Sequence, residues 1–450
     1  MANGIASVVE DAHPSPPTPL PLRGEIDWRA LTLSGAGLLL TFAAPQHRMD
    51  LVLIGVLVSA IGIVWSPYVG PILIGATLPA FFFTRTLAGP LSVTPPGLAL
   101  VLSWLAIGLR RRQLPLRFPT SPYDVPLGLL LVATLLSLLV TQYPLLSVRQ
   151  MRAVILEPVV FFWMLQCLRG SAGFALVGFL AGASVTALVA VAQGPLGVGG
   201  TSVEGVLRVQ AWYPSANHLA LMLGRAWPFL LAGAVAWRRW LWLPTAIVGL
   251  GLVLTFSTGG WLGTVVATLV VVVALGYRKI AGWLAAAAAL ALILVSGLAI
   301  AGTLPERLNP LRQTGGFRLD LWLSSLEMLR DHPLLGVGLD NFVYLYQELY
   351  LREGAAAEPS LSHPHNWVFN FWLSLGLLGL IAFVWLLVGF WQNARRALED
   401  PSRRWIVAGA LGAMADLLVH GLIDNSYFLV DLAFVFWLSL SLVTSRIGRT

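Results

Sequence analysis

Apolar runs recur along almost the whole chain, separated by short polar or basic turns. They fall near residues 30–45, 50–65, 70–84, 94–109, 122–141, 152–168, 171–193, 216–236, 240–256, 260–276, 280–302, 366–391, 404–422 and 426–445. The pattern predicts an all-α, polytopic integral membrane protein with about 12–14 transmembrane helices. The first three runs are short for an upright crossing, which takes about 20 residues.

One long segment, from about 303 to 364, breaks the pattern. Within it Phe317 to Arg330 is amphipathic at helical spacing, with Leu319, Trp322, Leu323, Leu326 and Leu329 on one side. Pro333 stops that helix, and Gly336-Val337-Gly338 predicts a turn. A second amphipathic piece covers Asn341 to Arg352 and carries Tyr344, Tyr346 and Tyr350. These read as short helices lying over a membrane surface and capping a cavity. Residues 1–29, with Pro14, Pro16, Pro17, Pro19 and Pro21, read as a disordered cytosolic tail. Residues 30–450 then form a single transmembrane domain.

Composition agrees with the pattern. Hydrophobic residues make up 57% of the chain and charged residues 11%, outside the soluble range. The net charge of +7 resides in short loops between runs, so it points to membrane orientation and not to nucleic acid. Alternating sides from a cytosolic N-terminus puts Arg110-Arg111-Arg112 with Arg117, Arg238-Arg239, Arg278-Lys279, Arg395-Arg396, Arg403-Arg404, Arg446 and Arg449 inside. The 303–364 segment then lies outside. Cys167 is the only cysteine, which leaves no disulfide framework and no thiolate metal site.

The candidate chemistry gathers where that outer segment meets the next run, at Ser362-His363-Pro364-His365-Asn366. Pro364 suits the first turn of a helix, which would set His365 and Asn366 at a helix N-terminus on the membrane boundary. The partial positive charge there favours an uncharged His365 able to take a proton, and the same end attracts phosphate. His363-x-His365 is also half of a metal pattern, but no Asp-x-Asp or Glu-x-x-His stands nearby, and the reading is of no metal. Trp367, Phe371 and Trp372 read as interfacial anchors before a sugar platform.

Several arginines fall outside against the usual bias: Arg149, Arg152, Arg208, Arg307, Arg312, Arg318, Arg330 and Arg352. Most read as solvated loop charges. Arg208 and Arg318 lie in or beside Gly-containing outer segments near the membrane plane, where a charge is expensive and usually functional or paired. Arg208 precedes Pro214-Ser215-Ala216-Asn217-His218, which opens a span. Arg225, inside that span, reads as paired with an acid or snorkelling. Asp424-Asn425-Ser426 reads as the N-cap of the last span, and Asp416 and His420, one turn apart, as possible cavity residues.

These residues resemble the O-antigen ligase/O-antigen polymerase (Wzy-C-type) superfamily of membrane glycosyltransferases. The likeness rests on His365-Asn366 followed by Gly376-x-x-Gly379, on Arg318-Leu319-Asp320-Leu321-Trp322, and on Asp331-His332-Pro333-Leu334-Leu335-Gly336-Val337-Gly338 with Asn341-Phe342. Pro214 to Ala220 resembles the family's upstream span start, so the likeness covers about residues 205–390. Two positions depart: Ser257 is followed by Thr258-Gly259-Gly260-Trp261 where relatives often carry Arg, and Trp322 stands where relatives have Leu.

The resemblance implies transfer of a glycan from a polyprenyl (undecaprenyl) pyrophosphate carrier to an acceptor hydroxyl on the outer face of the cytoplasmic membrane. It implies His365 as general base, contributing about 10²–10⁴-fold, with Arg318 and Arg208 binding the pyrophosphate. Asn366, Asn217, His363, Arg149 and Arg152 are candidate substrate-binding residues. The expected partners are the lipid-linked donor, a glycan, lipid or protein acceptor and the bilayer, with no cofactor and no metal. The competing class is a small-solute (bicarbonate-like) transporter, against which stands the lack of an internal repeat with matched broken spans. A structural or assembly subunit would not need the Arg/His arrangement.

Overall fold

The computed structural model describes residues 26–88, 91–114, 116, 120–203, 206–303, 315–355 and 361–444. The Pro-rich segment up to residue 25, Arg117, Arg307, Arg312, Arg446 and Arg449 lie outside these described residues. Among the described residues the chain is all-α apart from two small hairpins. Helix α1 (Trp28–Ala43) starts just after Asp27, whose carboxylate takes the N–H groups of Arg29 and Ala30. There follow α2 (Met49–Trp65), α3 (Val69–Thr77), the hairpin β1 (Arg85–Ala88) and β2 (Leu91–Val93), α4 (Pro95–Leu109) and α5 (Asp124–Ser137). Next, α6 (Pro144–Met151) runs through one wider π turn, Arg152–Leu156, into α7 (Glu157–Cys167), and α8 (Ser171–Leu196) leads to the hairpin β3 (Thr201–Val203) and β4 (Val206–Arg208). Then come α9 (Ala216–Ala236), α10 (Trp242–Leu254), α11 (Thr258–Ala274) and α12 (Arg278–Ile300). Residues 315–355 carry α13 (Gly315–Asp331) and α14 (Phe342–Leu345), and α15 (Trp367–Ala397), α16 (Arg404–His420) and α17 (Val430–Thr444) follow in the bundle.

Every apolar run read from the sequence is helical. Among the described residues α8, α9, α12 and α15 are long and apolar enough to cross a membrane by length and composition. The hairpins were not anticipated; each is a few residues of antiparallel pairing. Long apolar side chains such as Leu53, Leu57, Val132, Leu290 and Ile293 face outward, and α12 is exposed over nearly its whole length. A water-soluble surface does not carry apolar area on that scale.

Short turns make the helices alternate in direction, which gives the bundle two unlike ends. At one end sit Arg110–Arg112, Arg238–Arg239, Arg278–Lys279, Arg395–Arg396 and Arg403–Arg404 at helix termini. Arg110, for example, closes the end of α2 by donating to the carbonyls of Val64 and Trp65. At the other end gather β3–β4, the starts of α9, α11, α15 and α17, and the α13–α14 segment. Trp212 Nε1 donates to Pro79 O there (2.6 Å), tying the β4–α9 link to the end of α3.

Two interactions position this second end. The first is a break in α15 at Gly376 (φ 71, ψ 179). Its neighbours' unmet backbone groups are satisfied by the turn after α13: Leu377 N–H donates to Leu334 O (2.9 Å) and Val337 N–H to Leu373 O (2.7 Å). Gly336 (φ 67) permits the turn to come that close, because a Cβ there would meet the backbone of Leu373. The apolar run 366–391 is thus a helix with a break in it. Its Gly376-x-x-Gly379 pair serves a backbone break at its first glycine, which lies outside the conformations open to other residues.

The second is a buried ion pair. Arg225 on α9 donates to Asp416 on α16 and to Ser426 O (3.2 Å), with both charged side chains essentially inaccessible. Gly224 and Gly263 leave room for the Asp416 carboxylate between α9 and α11. Of the two readings open for Arg225, pairing with an acid is the one observed.

Gly376→Ala should lower stability by about 1–3 kcal/mol or more, read as a lower thermal unfolding midpoint of the protein in detergent, since the added Cβ would run into Leu334 and Leu335. Arg225→Met should cost about 3–5 kcal/mol by stranding the Asp416 charge, and Arg225→Met/Asp416→Leu should recover most of it. A double variant no more stable than the single one would contradict this account.

Candidate active site

The local sequence around the histidines folds differently from the reading at the helix start. The N-cap of α15 is Asn366, whose Oδ1 accepts from Val368 N (2.9 Å) and Phe369 N (3.3 Å) while its amide donates to Leu422 O (3.1 Å). Pro364 therefore precedes the helix and does not open its first turn. His365 stands just outside the helix in the left-handed region (φ 48). That backbone is unfavourable for a residue with a Cβ, and here it turns the imidazole away from the helix and toward the 421–429 turn.

The residue waiting there is Asp424. Its Oδ1 lies 3.2 Å from His365 Nδ1, 3.6 Å from His363 Nε2 and 2.8 Å from Asn425 N. Asp424 is buried, and burial alone would raise its pKa. The imidazoles of His363 and His365 outweigh that and hold the carboxyl well below the usual range. An ionised carboxylate only accepts, so His365 Nδ1–H is the donor in this contact. His363 is driven the other way: burial first, then the neighbouring His365, push its pKa down to about 4 against the pull of Asp424. The sequence reading of Asp424 to Ser426 as an N-cap is corrected. α17 starts later, at Val430, and Asn425 instead takes Phe428 N (3.0 Å) and the Asn370 amide (3.2 Å).

The two singled-out arginines come from different elements, Arg208 within electrostatic reach of Asp424 and Arg318 within reach of His420. Arg208, at the end of β4, donates from Nε to Thr255 O (2.8 Å) and from Nη2 to Asn217 Oδ1 (2.7 Å). Burial pulls its pKa down while the charge of Asp424 pulls it up, so it lies within electrostatic reach of the cluster. Arg318, in the first turn of α13, lies within electrostatic reach of His420, which in turn faces Asp424. Trp322, one turn further, donates its indole N–H to Pro364 O (3.2 Å). The Leu-to-Trp departure thus supplies a hydrogen bond between α13 and the His365 segment. At the other departure, Ser257 caps α11 and Gly259 lies against the His420 ring, where a Cβ would come within 2.6 Å of Cδ2.

Other predicted residues are placed elsewhere. Asn217 orients Arg208, and Asn366 is committed to capping. Arg152 pairs with Glu157 (3.3 Å) and reaches Ser92 O (3.4 Å). Arg149 is exposed and lies within reach of Asp340. Arg352 pairs with Glu327 (2.7 Å) and Asp320 (3.5 Å), as a bland loop charge would. Asp424 and His218 were missed as site residues. His218, in the first turn of α9, feels both Asp424 and His365. The only signal for it was its place next to Asn217 at a span start.

Ligand atoms of His363, His365 and Asp424 lie within 4.8 Å of one another, so this donor set could also hold a divalent cation.

The fold and this cluster define an all-helical protein, apolar on its flanks, with a polar histidine–carboxylate–arginine site at one end. Residues 243–384 match the family model described as O-Antigen ligase (Wzy_C). Over that stretch, about a third of the chain, the sequence is similar to the family that its own residues resemble. Arg318, His365 and Asn366 fall within the matched region; Arg208, His218 and Asp424 flank it. No curated protein matches the chain.

The site should be acid-labile. His363 has a folded pKa of about 4 against 6.5 for the free group, so the unfolded chain binds the extra proton between those values. Stability is therefore lost as pH falls from about 6.5 to 4. Asp424, held below its free value, adds loss at still lower pH. Unfolding midpoints measured from pH 7 to 4 should fall, and His363→Asn should flatten the upper part of that fall.

Proposed function

We propose that the chain transfers a glycan from a polyprenyl pyrophosphate carrier to an acceptor hydroxyl, as an O-antigen ligase-like or polymerase-like enzyme. The observation that carries this reading is the His365–Asp424 contact, with Arg208 within electrostatic reach of Asp424 and Arg318 within reach of His420. His365 Nε2 takes the proton of the acceptor hydroxyl as its oxygen attacks the anomeric carbon. The bond from that carbon to the phosphate oxygen breaks, and the electron pair leaves with the pyrophosphate. Asp424 fixes the imidazole tautomer and stabilises the imidazolium that forms, the role of the carboxylate in a catalytic triad. Arg208 and Arg318 offset the charge that builds on the leaving group, which needs charge stabilisation more than protonation. Direct displacement with no second carboxylate as nucleophile gives inversion.

The basic residues at the opposite helix ends support a cytosolic far end and an exoplasmic site, on the cytoplasmic (inner) membrane. The shorter apolar helices cross the membrane as well in this reading. The site then faces a lipid-tethered donor and a water-borne or lipid-borne acceptor.

Turnover of a purified lipid-linked oligosaccharide tests the chemistry. His365→Ala should lose about 10²–10⁴-fold. Arg318→Ala and Arg208→Ala should each lose about 10²–10³-fold, and Asp424→Asn should lose activity while leaving donor binding in place. A chelator should change nothing. Full activity of His365→Ala and Arg318→Ala would remove the mechanism, and loss on chelation alone would turn the His363–His365–Asp424 set into a metal site.

A further inference from the structure

We propose that the hollow beside His363 is a subsite for one sugar ring of the glycan being transferred or extended. This rests on the glycan-transfer reading and goes past it by naming where a ring docks. The cavity measures about 200 Å³ and is lined by Gln150, His218, Asp340, His363, Asn370 and Asn425, with Phe342 and Phe428 as its apolar walls. By this measure a single water needs roughly 10–15 Å³, so the space takes an organic molecule. It falls below the ~300–1,000 Å³ of pockets for drug-sized ligands, which limits it to about one ring.

The lining fits a polyol better than a phosphate. It holds amides, imidazoles, hydroxyls and one carboxylate, with neither Arg nor Lys among the lining residues. Amide and carboxylate groups offer the mixed donors and acceptors that sugar hydroxyls need, and the phenylalanine faces suit the C–H face of a pyranose. One ring nitrogen of the lining histidines, His218 Nδ1, is buried with no hydrogen bond, while His363 Nε2 is turned to Asp424 Oδ1 at 3.6 Å. Buried polar atoms in folded proteins are otherwise nearly always paired. Asp340 sits at the open rim in the left-handed region (φ 59), a conformation found where surroundings over-determine it. Those surroundings are built: the next residue, Asn341, is buried and bonded to Thr141, Ser147 and the backbone of Gln142, Tyr143 and Leu339. The hollow also adjoins the reacting group, because His363 is shared between it and the Asp424 cluster.

Saturation-transfer NMR on the full-length protein in nanodiscs tests this, with free glucose, galactose, N-acetylglucosamine and glucosamine as probes. Wild type should transfer saturation to at least one of them. Asp340→Asn keeps size and tolerance of the left-handed backbone, and Gln150→Met keeps length, so both should fold with unchanged melting. Each should weaken the signal by about tenfold in affinity, the scale of a lost hydrogen bond to a charged or buried group. If a lipid-linked oligosaccharide donor abolishes the signal, the ring belongs to the donor; if the signal survives, the ring belongs to the acceptor. Either result supports the subsite. No transfer from any of the four sugars, or equal transfer in wild type and both variants, overturns it. The readout needs no turnover, so an active His365→Ala would remove the catalytic reading and leave this one to be judged on binding.

Discussion

A carboxylate taken out of water must be surrounded by donors or positive charge, or it takes up a proton. Asp424 meets that requirement with groups drawn from distant parts of the chain. The His363–Pro364–His365 segment supplies two imidazoles, and its own turn supplies a backbone N–H. Arg208 on β4 and His420 at the end of α16 act through their charge or ring. The interior of the 421–429 turn is polar because Asp424 is there, and the segments that converge on it are those that carry the candidate chemistry. The carboxylate therefore sets both which way the His365 ring is turned and the place where the 361–366 segment meets the bundle.

The α13–α14 segment docks on α15 largely through backbone. α15 is interrupted at Gly376, and the 334–337 turn lends it the hydrogen bonds the interruption forfeits. A segment docked in this way cannot drift relative to α15, and the Trp322–Pro364 hydrogen bond fastens the first turns of α13 to the residue before His365. The conformational strain is distributed accordingly. Among the described residues the non-glycine positions with positive φ are Ala211, Phe256, Asp340 and His365. Ala211 lies just past Arg208, Phe256 follows the carbonyl that Arg208 grips, Asp340 rims the hollow, and His365 faces Asp424. Strain of this kind persists where packing over-determines it and clusters at functional sites.

Hydropathy made the long helices of the bundle legible, because a run that must satisfy its backbone in an apolar setting leaves a long apolar signature; α6, which no apolar run covers, was not. His365, Arg208 and Arg318 were legible as candidates, since charge and imidazole stand out against such a background. Asp424 was not: in a turn ahead of a span, an Asp-Asn-Ser string looks like a cap, and only the late start of α17 distinguishes the two uses. The break at Gly376 was hidden for a related reason. Its flanks are as apolar as any span, and the partner that completes its hydrogen bonding lies about 40 residues earlier in sequence. The small hairpin that carries Arg208 is too short for period-two alternation to register. What the sequence conceals is the set of long-range backbone contacts, for which residue type is a weak guide.

The ion pair within the bundle shows how the site and the helices are linked. Buried pairs contribute little net stability, because desolvation offsets their attraction. Arg225 nonetheless occupies a position that geometry makes consequential. It lies about two turns beyond His218 on α9, and its partner Asp416 lies about one turn before His420 on α16. Its second hydrogen bond goes to Ser426, two residues past Asp424. Sliding α9 against α16 by a single turn would strand both charges and release the 424–426 turn at once. The pair thus ties the register of the two helices that present His218 and His420 to the placement of the carboxylate between them. A stability measurement alone would underrate it, since its consequence is the alignment of the residues around Asp424.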